Sequence, residues 1–407
     1  MKKLLIIILA IFILFGAFTS CGRLNSLEDA FIRAVGDIFY FESTSEKGDD
    51  INGVYPEFEG ENEISAEEKI ENNTEDSTEK DTEKSTDDII ESDEENNDII
   101  SLKELYSRNG NKITFGSYPQ SEVTDSVLKS ALDGMAGTLP TSLNLNSWNS
   151  YGYYINEKEE SFMWYKDVSY NGDRYRGVYF TSYRPFSTKG SSSSAASQKS
   201  NGYILNNLYW FKYEPISWTI LSEDTTNKTA LVLCDMIIDS QEYYISDIGV
   251  RTIDGNMIYP NNYAHSTIRS WLNEDFYNTA FVEFQKQIIC TATVYNNVES
   301  TGYSNPYACE NTQDKIFLLS AQEAINTVYG FAGNSAAHDI ARKMNVTDYA
   351  KVQGVSTSKD GKGSWWLRSP ERRYQTYARQ INNEGCFDCT DVVSTTTGVL
   401  PALQIKL

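Results

Sequence analysis

The chain has 407 residues, of which 13 % are aromatic, and a formal net charge of −22. That length can bury a sizeable core without help from disulfides. Residues 41–100 hold 23 acidic residues and 4 lysines, a charge of −19, so the rest of the chain carries only −3. Because the chain has no basic excess, we do not expect it to bind nucleic acid.

The first residues predict export and lipid anchoring. Two lysines precede fifteen apolar or small residues, 4–18, which as a helix would rise about 22 Å, short of the roughly 30 Å hydrocarbon core. This favours a cleaved signal over a permanent membrane span. The segment "FTSC" ends at Cys21 and resembles a bacterial lipobox, in which the cysteine is lipidated. We therefore expect residues 1–20 to be a lipoprotein signal peptide, with an uncleaved anchor as the alternative.

Two segments follow the lipobox. In residues 21–40, apolar side chains from Leu24 to Ile38 recur at spacings of three and four, which predicts a short amphipathic helix. Residues 41–100 are rich in Glu, Asp, Asn and Ser, a composition typical of disorder. Sixty such residues span about 45 Å r.m.s.. The predicted protein is therefore held on the outer face of a bacterial membrane by lipid, with an acidic stalk below a folded domain.

The folded domain is predicted to cover residues 101–407 and to begin with strands. Ser101 and Glu104 have capping-box spacing. The segment "ITFGSYPQSEV" predicts a short strand that ends at a glycine turn. Asn171-Gly172 is the signal of a type I′ hairpin. Two further strands are predicted at 218–222 and 229–238.

The second half of the domain mixes helices and strands. Residues 265–289 have helical periodicity, and a buried strand at 316–319 leads into a helix capped by Ser320 with Glu323. The remaining predictions are a helix at 347–352 and strands at 364–368, 376–382 and 398–406. We expect a single loop-rich α+β domain with short, mostly antiparallel strands and a few helices.

Seven blocks in order carry a family resemblance. They include "NGYILNNLYWFKYEPISWTIL", "YAHSTIRSWLNEDFYNTAF", "DKIFLLSAQEA" and "GSWWLRSP…GVLPAL". Together they resemble the DUF6273 family of uncharacterised bacterial extracytoplasmic domains, which has no assigned activity. The final blocks also resemble, more loosely, C-type-lectin-like folds that include sulfatase-modifying factors. This second resemblance implies a lectin-like core, with a Gly-Ser-Trp strand at 363–365 and a closing strand at 398–400.

Catalytic and metal chemistry find little support in the sequence. His265 and His338 are the only histidines, and neither accompanies a G-x-S-x-G elbow. Cys386 and Cys389 have CxxC spacing without a second pair, so we predict neither a metal nor a cofactor. A local disulfide between them is one interpretation, and two buried thiols is the other. The acidic residues around them disfavour a reactive thiolate.

Tyrosine-rich loops favour binding, because a tyrosine ring offers large contact area and a hydrogen-bonding tip. The candidate ligand-binding side chains are charged or aromatic residues of the last two loops: Arg372, Arg373, Tyr374, Tyr377, Asp388 and Asp391. A structural role is predicted for the other prominent motif residues: Trp365, Trp366, Arg368, Trp271 and Asn273.

The sequence thus favours a non-catalytic binding module for a glycan, a wall polymer or a protein. One alternative is an enzyme related to the sulfatase-modifying oxidases, which would need Cys386 or Cys389 as a working thiol. The other is a purely architectural surface protein.

Overall fold

A computed structural model describes residues 105–192 and 196–407. The predicted signal peptide, the lipidation at Cys21, the amphipathic helix, the acidic stalk and the capping box at Ser101 all lie outside the described residues. The described residues belong to one compact unit, Asp93–Leu407. No helix among them is both long and apolar enough to cross a membrane.

Strands dominate the described part of the chain. Its first half contains β1 (Ser107–Asn109), β2 (Lys112–Glu122), β3 (Asn149–Ser150), β4 (Tyr153–Ile155), β5 (Lys158–Glu160), β6 (Met163–Tyr170), β7 (Asp173–Phe180), β8 (Leu208–Asp224), β9 (Thr229–Cys234), β10 (Met236–Ile237) and β11 (Asp239–Ser240). Its second half contains β12 (Arg251–Ile253), β13 (Asn256–Ile258), β14 (Ala292–Val294), β15 (Thr312–Asp314), β16 (Ile316–Phe317), β17 (Met344–Val346), β18 (Lys362–Gly363), β19 (Trp365–Pro370), β20 (Tyr377–Ile381), β21 (Phe387–Asp391), β22 (Gly398–Val399) and β23 (Ala402–Lys406).

Between residues 105 and 407, as far as the structure describes them, the helices are few and mostly short. They are α1 (Ser126–Ala136), α2 (Ser197–Ser200), α3 (Thr267–Trp271), α4 (Tyr277–Ala280), α5 (Glu283–Lys286) and α6 (Asp348–Gln353). Together with the strands they confirm the predicted α+β class with short, mostly antiparallel strands.

Strand β8 organises a nine-stranded sheet. Its first residues pair with β7 and its last with β9, while β2 runs along the middle of its other edge. The order β16-β23-β9-β8-β7-β6-β3 completes the sheet, with β1 beyond β2. A five-stranded sheet, β11-β22-β19-β20-β21, carries the motif "GSWWLRSP", and a three-stranded sheet joins β10, β17 and β18. All pairings are antiparallel except β10 with β17 and β19 with β22.

The large sheet is buried on both faces, as β7 illustrates. Val178 and Phe180 belong to the main core, whereas Tyr175 and Tyr179 belong to a second cluster that packs beneath α1. Alternate residues of a strand point to opposite faces, so each set covers one face. The type I′ hairpin is confirmed, because Asn171 and Gly172 have φ angles of 51° and 85°.

The prediction that the first strand ends at a glycine turn was wrong, because strand β2 continues through Gly116. Gly116 has φ +71°, and a Cβ there would lie 2.6 Å from Cε1 of Phe281. The pairing with β8 shifts between Thr114 and Ser117, so Gly116 forms a bulge rather than a turn. The bulge makes room for the Phe281 ring, which packs on Phe115 with ring centroids 5.2 Å apart.

The predicted helix over 265–289 is interrupted. A π-helical turn at Leu272–Phe276 follows α3, and Phe281 is extended with φ −124°. Tertiary packing of the Phe281 ring overrides the helical periodicity there. The helix at 347–352 is confirmed as α6, with Thr347 accepting a hydrogen bond from the Ala350 amide.

The capping box at Ser320 forms, but no α-helix follows it. The Ser320 amide donates to Glu323 Oε2 at 2.7 Å, and the Glu323 amide donates to Ser320 Oγ at 3.1 Å. Only a 3-10 turn at Glu323–Ile325 follows, because the Asn326 side chain caps a new turn at Thr327–Tyr329. The predicted strand 398–406 is also divided, into β22 and β23 on either side of Pro401, which has no amide proton to donate.

Both tryptophans of "GSWWLRSP" are fully buried, as their structural assignment requires. Trp365 Nε1 donates to the Arg342 carbonyl oxygen at 3.0 Å, and Trp366 Nε1 donates to the Gln241 carbonyl oxygen at 2.9 Å. Arg368 is buried against Glu323 at 2.6 Å. Strand β19 therefore has covered side chains on both faces and forms part of the core.

Asn273 is a further structural residue in this part of the fold. Its amide nitrogen donates to the Ile316 carbonyl oxygen at 2.9 Å, and its amide oxygen accepts from the Lys315 amide at 2.8 Å. Asn273 thus joins the π-helical turn to β16.

Candidate functional site

The loop between β19 and β20 presents the strongest candidate surface. We call residues 371–376, sequence "ERRYQT", the arginine–tyrosine loop. It leaves β19 at Pro370 and enters β20 at Tyr377, so both of its ends are fixed in the five-stranded sheet.

Asn261 holds the backbone of the arginine–tyrosine loop. This fully buried side chain donates from Nδ2 to the carbonyl oxygens of Tyr374, at 3.1 Å, and Tyr377, at 3.0 Å. Its own amide donates to the Gln375 carbonyl oxygen at 3.1 Å. At the loop entrance, Asn305 Nδ2 donates to the Pro370 carbonyl oxygen at 2.9 Å. The loop is therefore anchored by buried amides.

A polar cluster lies under the arginine–tyrosine loop. Glu371, the first residue of the loop, is buried, and its carboxylate lies 2.8 Å from Arg379 Nη2. Arg379 also donates from Nη2 to the Tyr303 hydroxyl at 2.6 Å. The guanidinium carbon of Arg372 lies 5.1 Å from the centre of the Tyr303 ring, a cation–π distance. Tyr303 thus connects the buried ion pair to the exposed arginine.

Three predicted binding residues face solvent together. Arg372 and Arg373 are exposed, and Tyr374 is 54 % exposed. Within residues 105–192 and 196–407, no carboxylate pairs with either arginine. The Tyr374 and Tyr377 rings lie 5.3 Å apart at an angle of 48°. The surface therefore offers two cations without carboxylate partners beside an aromatic pair, which suits an anionic or hydroxyl-rich ligand.

The two predicted aspartates do not both join this surface. Tyr377 pairs with Asp391 across β20 and β21, whereas Asp388 pairs with Gln380. Directly opposed residues share a face and the next pair along takes the other face, so Asp388 lies on the face opposite Tyr377. The structure brings Arg372, Arg373, Tyr374 and Tyr377 together and separates Asp388 from them.

Asp391 is engaged within the protein. Burial raises its pKa to about 6, and the neighbouring Asp247 carboxylate adds to the rise. Asp247, whose side chain is 10 % exposed, forms an ion pair with Lys189. These contacts join the turn at Lys189 to the end of β21, which indicates a structural role for Asp391.

The CxxC motif lies along a strand edge. Cys386 directly precedes β21 and Cys389 is its third residue, so the chain between them is extended. Extended residues rise about 3.3 Å each, which puts the two Cα atoms roughly 10 Å apart, whereas a disulfide needs less than about 7 Å. A disulfide between them would require the strand to rearrange. Cys386 is a thiol, with Sγ 4.0 Å from the Ala336 carbonyl oxygen.

Each histidine lies beside a glutamate. His265 Nε2 lies 3.0 Å from Glu310 Oε1, and His338 Nδ1 lies 3.2 Å from Glu384 Oε2. In the described part of the chain, no group of three His, Cys, Asp or Glu side chains is placed to hold a metal ion.

Several residues of the surface carried no sequence signal. Asn261 lies 113 residues before Tyr374, and Tyr303 lies 76 residues before Arg379. Neither belongs to a motif whose spacing indicates a binding site. Only the density of arginine and tyrosine in "ERRY" pointed to this region.

Comparison with known proteins finds a family model that matches part of the chain. Residues 227–407 match the family model described as "Domain of unknown function (DUF6273)". The match supports the predicted family and includes the whole arginine–tyrosine loop. It begins after β8, so "ITFGSYPQSEV" and the block at 201–221 lie outside it. No curated protein and no solved structure matched the chain.

Proposed function

We propose that this protein is a non-catalytic binding module, tethered outside the cell, that holds an envelope ligand on the arginine–tyrosine loop. The observation that carries the proposal is the exposure of Arg372, Arg373 and Tyr374 on a backbone fixed by the buried Asn261. A loop backbone that is already fixed loses little entropy when a ligand binds. The ligand is a glycan, a wall polymer or a protein.

The tether belongs to the same proposal. Lipidation of Cys21 would place the chain on the membrane, and the acidic segment 41–100 would carry the domain outward. The charge of that segment would keep it extended, since like charges along a chain repel each other.

The proposal also includes a C-type-lectin-like core in the five-stranded sheet. Trp365 and Gly398 pair in the parallel strands β19 and β22, so the Gly-Ser-Trp strand and the closing strand lie side by side. This adjacency supports the looser sequence resemblance.

Saturable retention of the purified protein on isolated envelope fragments tests the proposal. Binding that saturates and is competed by excess unlabelled protein supports it. Retention that never saturates would favour a purely architectural protein. Labelling with a thiol reagent separates the enzyme alternative, because a Cys386 thiolate reactive at neutral pH would favour an enzyme related to the sulfatase-modifying oxidases.

A further inference from the structure

A cleft lies between the segment after β11 and the helix α3, and none of its lining residues belongs to the arginine–tyrosine loop. Its volume is about 220 Å³, and its lining includes Gln241, Glu242, Ser270, Trp271, Glu274 and Asp275. That volume is below the roughly 300–1,000 Å³ of sites for drug-sized ligands. The cleft therefore suits one small ring.

The walls of the cleft are held in place from behind. Trp366 Nε1 donates to the Gln241 carbonyl oxygen at 2.9 Å, and Arg184 Nη2 donates to Glu242 Oε2 at 2.6 Å. The Ile268 amide of α3 donates to the Tyr243 carbonyl oxygen at 3.2 Å, which fixes one wall against the other. The cleft is thus a preformed feature of the fold.

The π-helical turn at Leu272–Phe276 supplies two carboxylates without countercharges. Glu274 and Asp275 are adjacent, and among residues 105–192 and 196–407 neither carboxylate has a cationic partner or a hydrogen-bond donor. Burial, and then the Glu274 carboxylate, raise the pKa of Asp275. Two neighbouring carboxylates at the edge of a cleft repel each other until a cation lies between them. A π-helical turn inside a helix also occurs frequently at functional sites.

Trp271 adds an aromatic wall. Its ring stacks on Phe276 with centroids 5.6 Å apart, and it is half-buried where it lines the cleft. Indole is the aromatic group that attracts cations most strongly, and a flat ring can pack against a sugar. The Ser270 hydroxyl, also in the lining, can bond a ligand hydroxyl.

We propose that this cleft binds a small amino sugar. The protonated amine donates to the carboxylates of Glu274 and Asp275, and the indole of Trp271 packs against the sugar ring. Neutral sugars of the same shape lack the charge that these carboxylates attract. The site shares no residue with the arginine–tyrosine loop, so this proposal and the proposed function can fail independently.

The seven tryptophans of the chain provide a direct readout. Trp271 is half-buried. The other six are buried: Trp148, Trp164, Trp210, Trp218, Trp365 and Trp366. Acrylamide quenching of the full-length protein therefore reports mainly on Trp271. Glucosamine should protect this fluorescence in a saturable manner, whereas glucose and N-acetylglucosamine, which carry no charge, should protect at least about tenfold less well.

Matched variants distinguish an effect of the Glu274 and Asp275 carboxylates from an effect of the overall negative charge of the protein. Glu274→Gln with Asp275→Asn should weaken glucosamine binding about tenfold or more, as judged by calorimetry. Neutralising two other adjacent, exposed carboxylates, by Glu159→Gln with Glu160→Gln, should leave glucosamine binding unchanged. Equal protection of the wild type by all three sugars, or no protection by glucosamine, would overturn the proposal, and this comparison does not depend on how well a variant folds.

Discussion

The side-chain amide of Asn261 donates a 3.1 Å hydrogen bond to the carbonyl oxygen of Tyr374. The bond links the segment before α3 to the tip of the arginine–tyrosine loop. The same nitrogen lies 3.0 Å from the Tyr377 carbonyl oxygen. One buried side chain thus fixes the backbone that presents the exposed arginines and tyrosine.

Asn261→Ala should therefore loosen the arginine–tyrosine loop. Removal of the donor deletes its hydrogen bonds to the Tyr374 and Tyr377 carbonyl oxygens, at a cost of about 0.5–1.5 kcal/mol each in the free energy of unfolding, since each oxygen keeps one backbone partner. Amide hydrogen exchange within residues 371–377 should accelerate, and retention on envelope fragments should fall. Asn256→Ala, at an exposed position on β13, is the control and should change neither. Unaltered exchange in the loop would mean that Asn261 does not hold it.

Gly116 and Gly110 allow a matched test of the β2 bulge. Both have positive φ, but a Cβ at Gly116 would meet Phe281, whereas a Cβ at Gly110 meets nothing within 4 Å. Both alanine variants bear the cost of a left-handed conformation, about 1–3 kcal/mol, and Gly116→Ala adds the displacement of a core ring. Urea unfolding should show a larger loss of unfolding free energy for Gly116→Ala than for Gly110→Ala. Equal losses would show that Phe281 moves aside freely.

The ion pair between Arg368 and Glu323 joins β19 to the turn after β16, at 2.6 Å. Although burial opposes it, the guanidinium holds the pKa of Glu323 below its ordinary value. Arg368→Ala would leave this carboxylate without its partner and should cost about 3–5 kcal/mol. Arg174→Ala, which removes an exposed arginine, should cost less than about 1 kcal/mol. Similar thermal unfolding of the two variants would contradict the structural role of Arg368.

Buried Asp239 should make stability depend on pH. Burial raises its pKa from 3.8 to about 6, and hydrogen bonds from Tyr118 and the Ser240 amide only partly offset the rise. Because the folded-state pKa of Asp239 lies above its unfolded value, the stability that this residue contributes is fully present below pH 3.8. That contribution is lost as the pH rises through about 6. Asp391 acts in the same direction.

Urea unfolding between about pH 4.5 and 7.5 measures this effect. The wild type should lose stability across the range, and Asp239→Asn should lose less, since asparagine has no proton to release. Asp360→Asn removes a carboxylate whose pKa is lowered, mainly by a hydrogen bond from Ser358, and should leave the slope unchanged. A wild-type stability that rises with pH would contradict the assignment.

Local sequence signals predicted the local structure well. Asn171-Gly172 makes its hairpin because both residues take positive φ, and Thr347 caps α6. The failures arise from long-range packing. Local sequence predicts a turn at Gly116. The residue is glycine for another reason, because Phe281, 165 positions later, occupies the space that a side chain would fill. Strand β21 was missed because "FDCTD" is a short, half-buried edge strand that contains only two apolar residues, Phe387 and Cys389.

The candidate surface could be predicted only in part. "ERRY" pointed to an exposed loop because its composition is a local property of the sequence. The burial of Glu371 depends on Arg379, and the loop backbone depends on Asn261. Asp391 looked like a binding residue because its contacts with Asp247 and Lys189 are invisible in the sequence.

The most direct test of the account compares two triple variants on isolated envelope fragments. Arg372→Ala, Arg373→Ala and Tyr374→Ala together should weaken retention about tenfold or more, with an unchanged melting temperature because all three side chains are exposed. The control replaces two exposed lysines and an aromatic residue that is 43 % exposed: Lys158→Ala, Lys359→Ala and Phe284→Ala. The control should bind like the wild type. Equal retention of both variants and the wild type would contradict the assignment of the arginine–tyrosine loop as the binding surface.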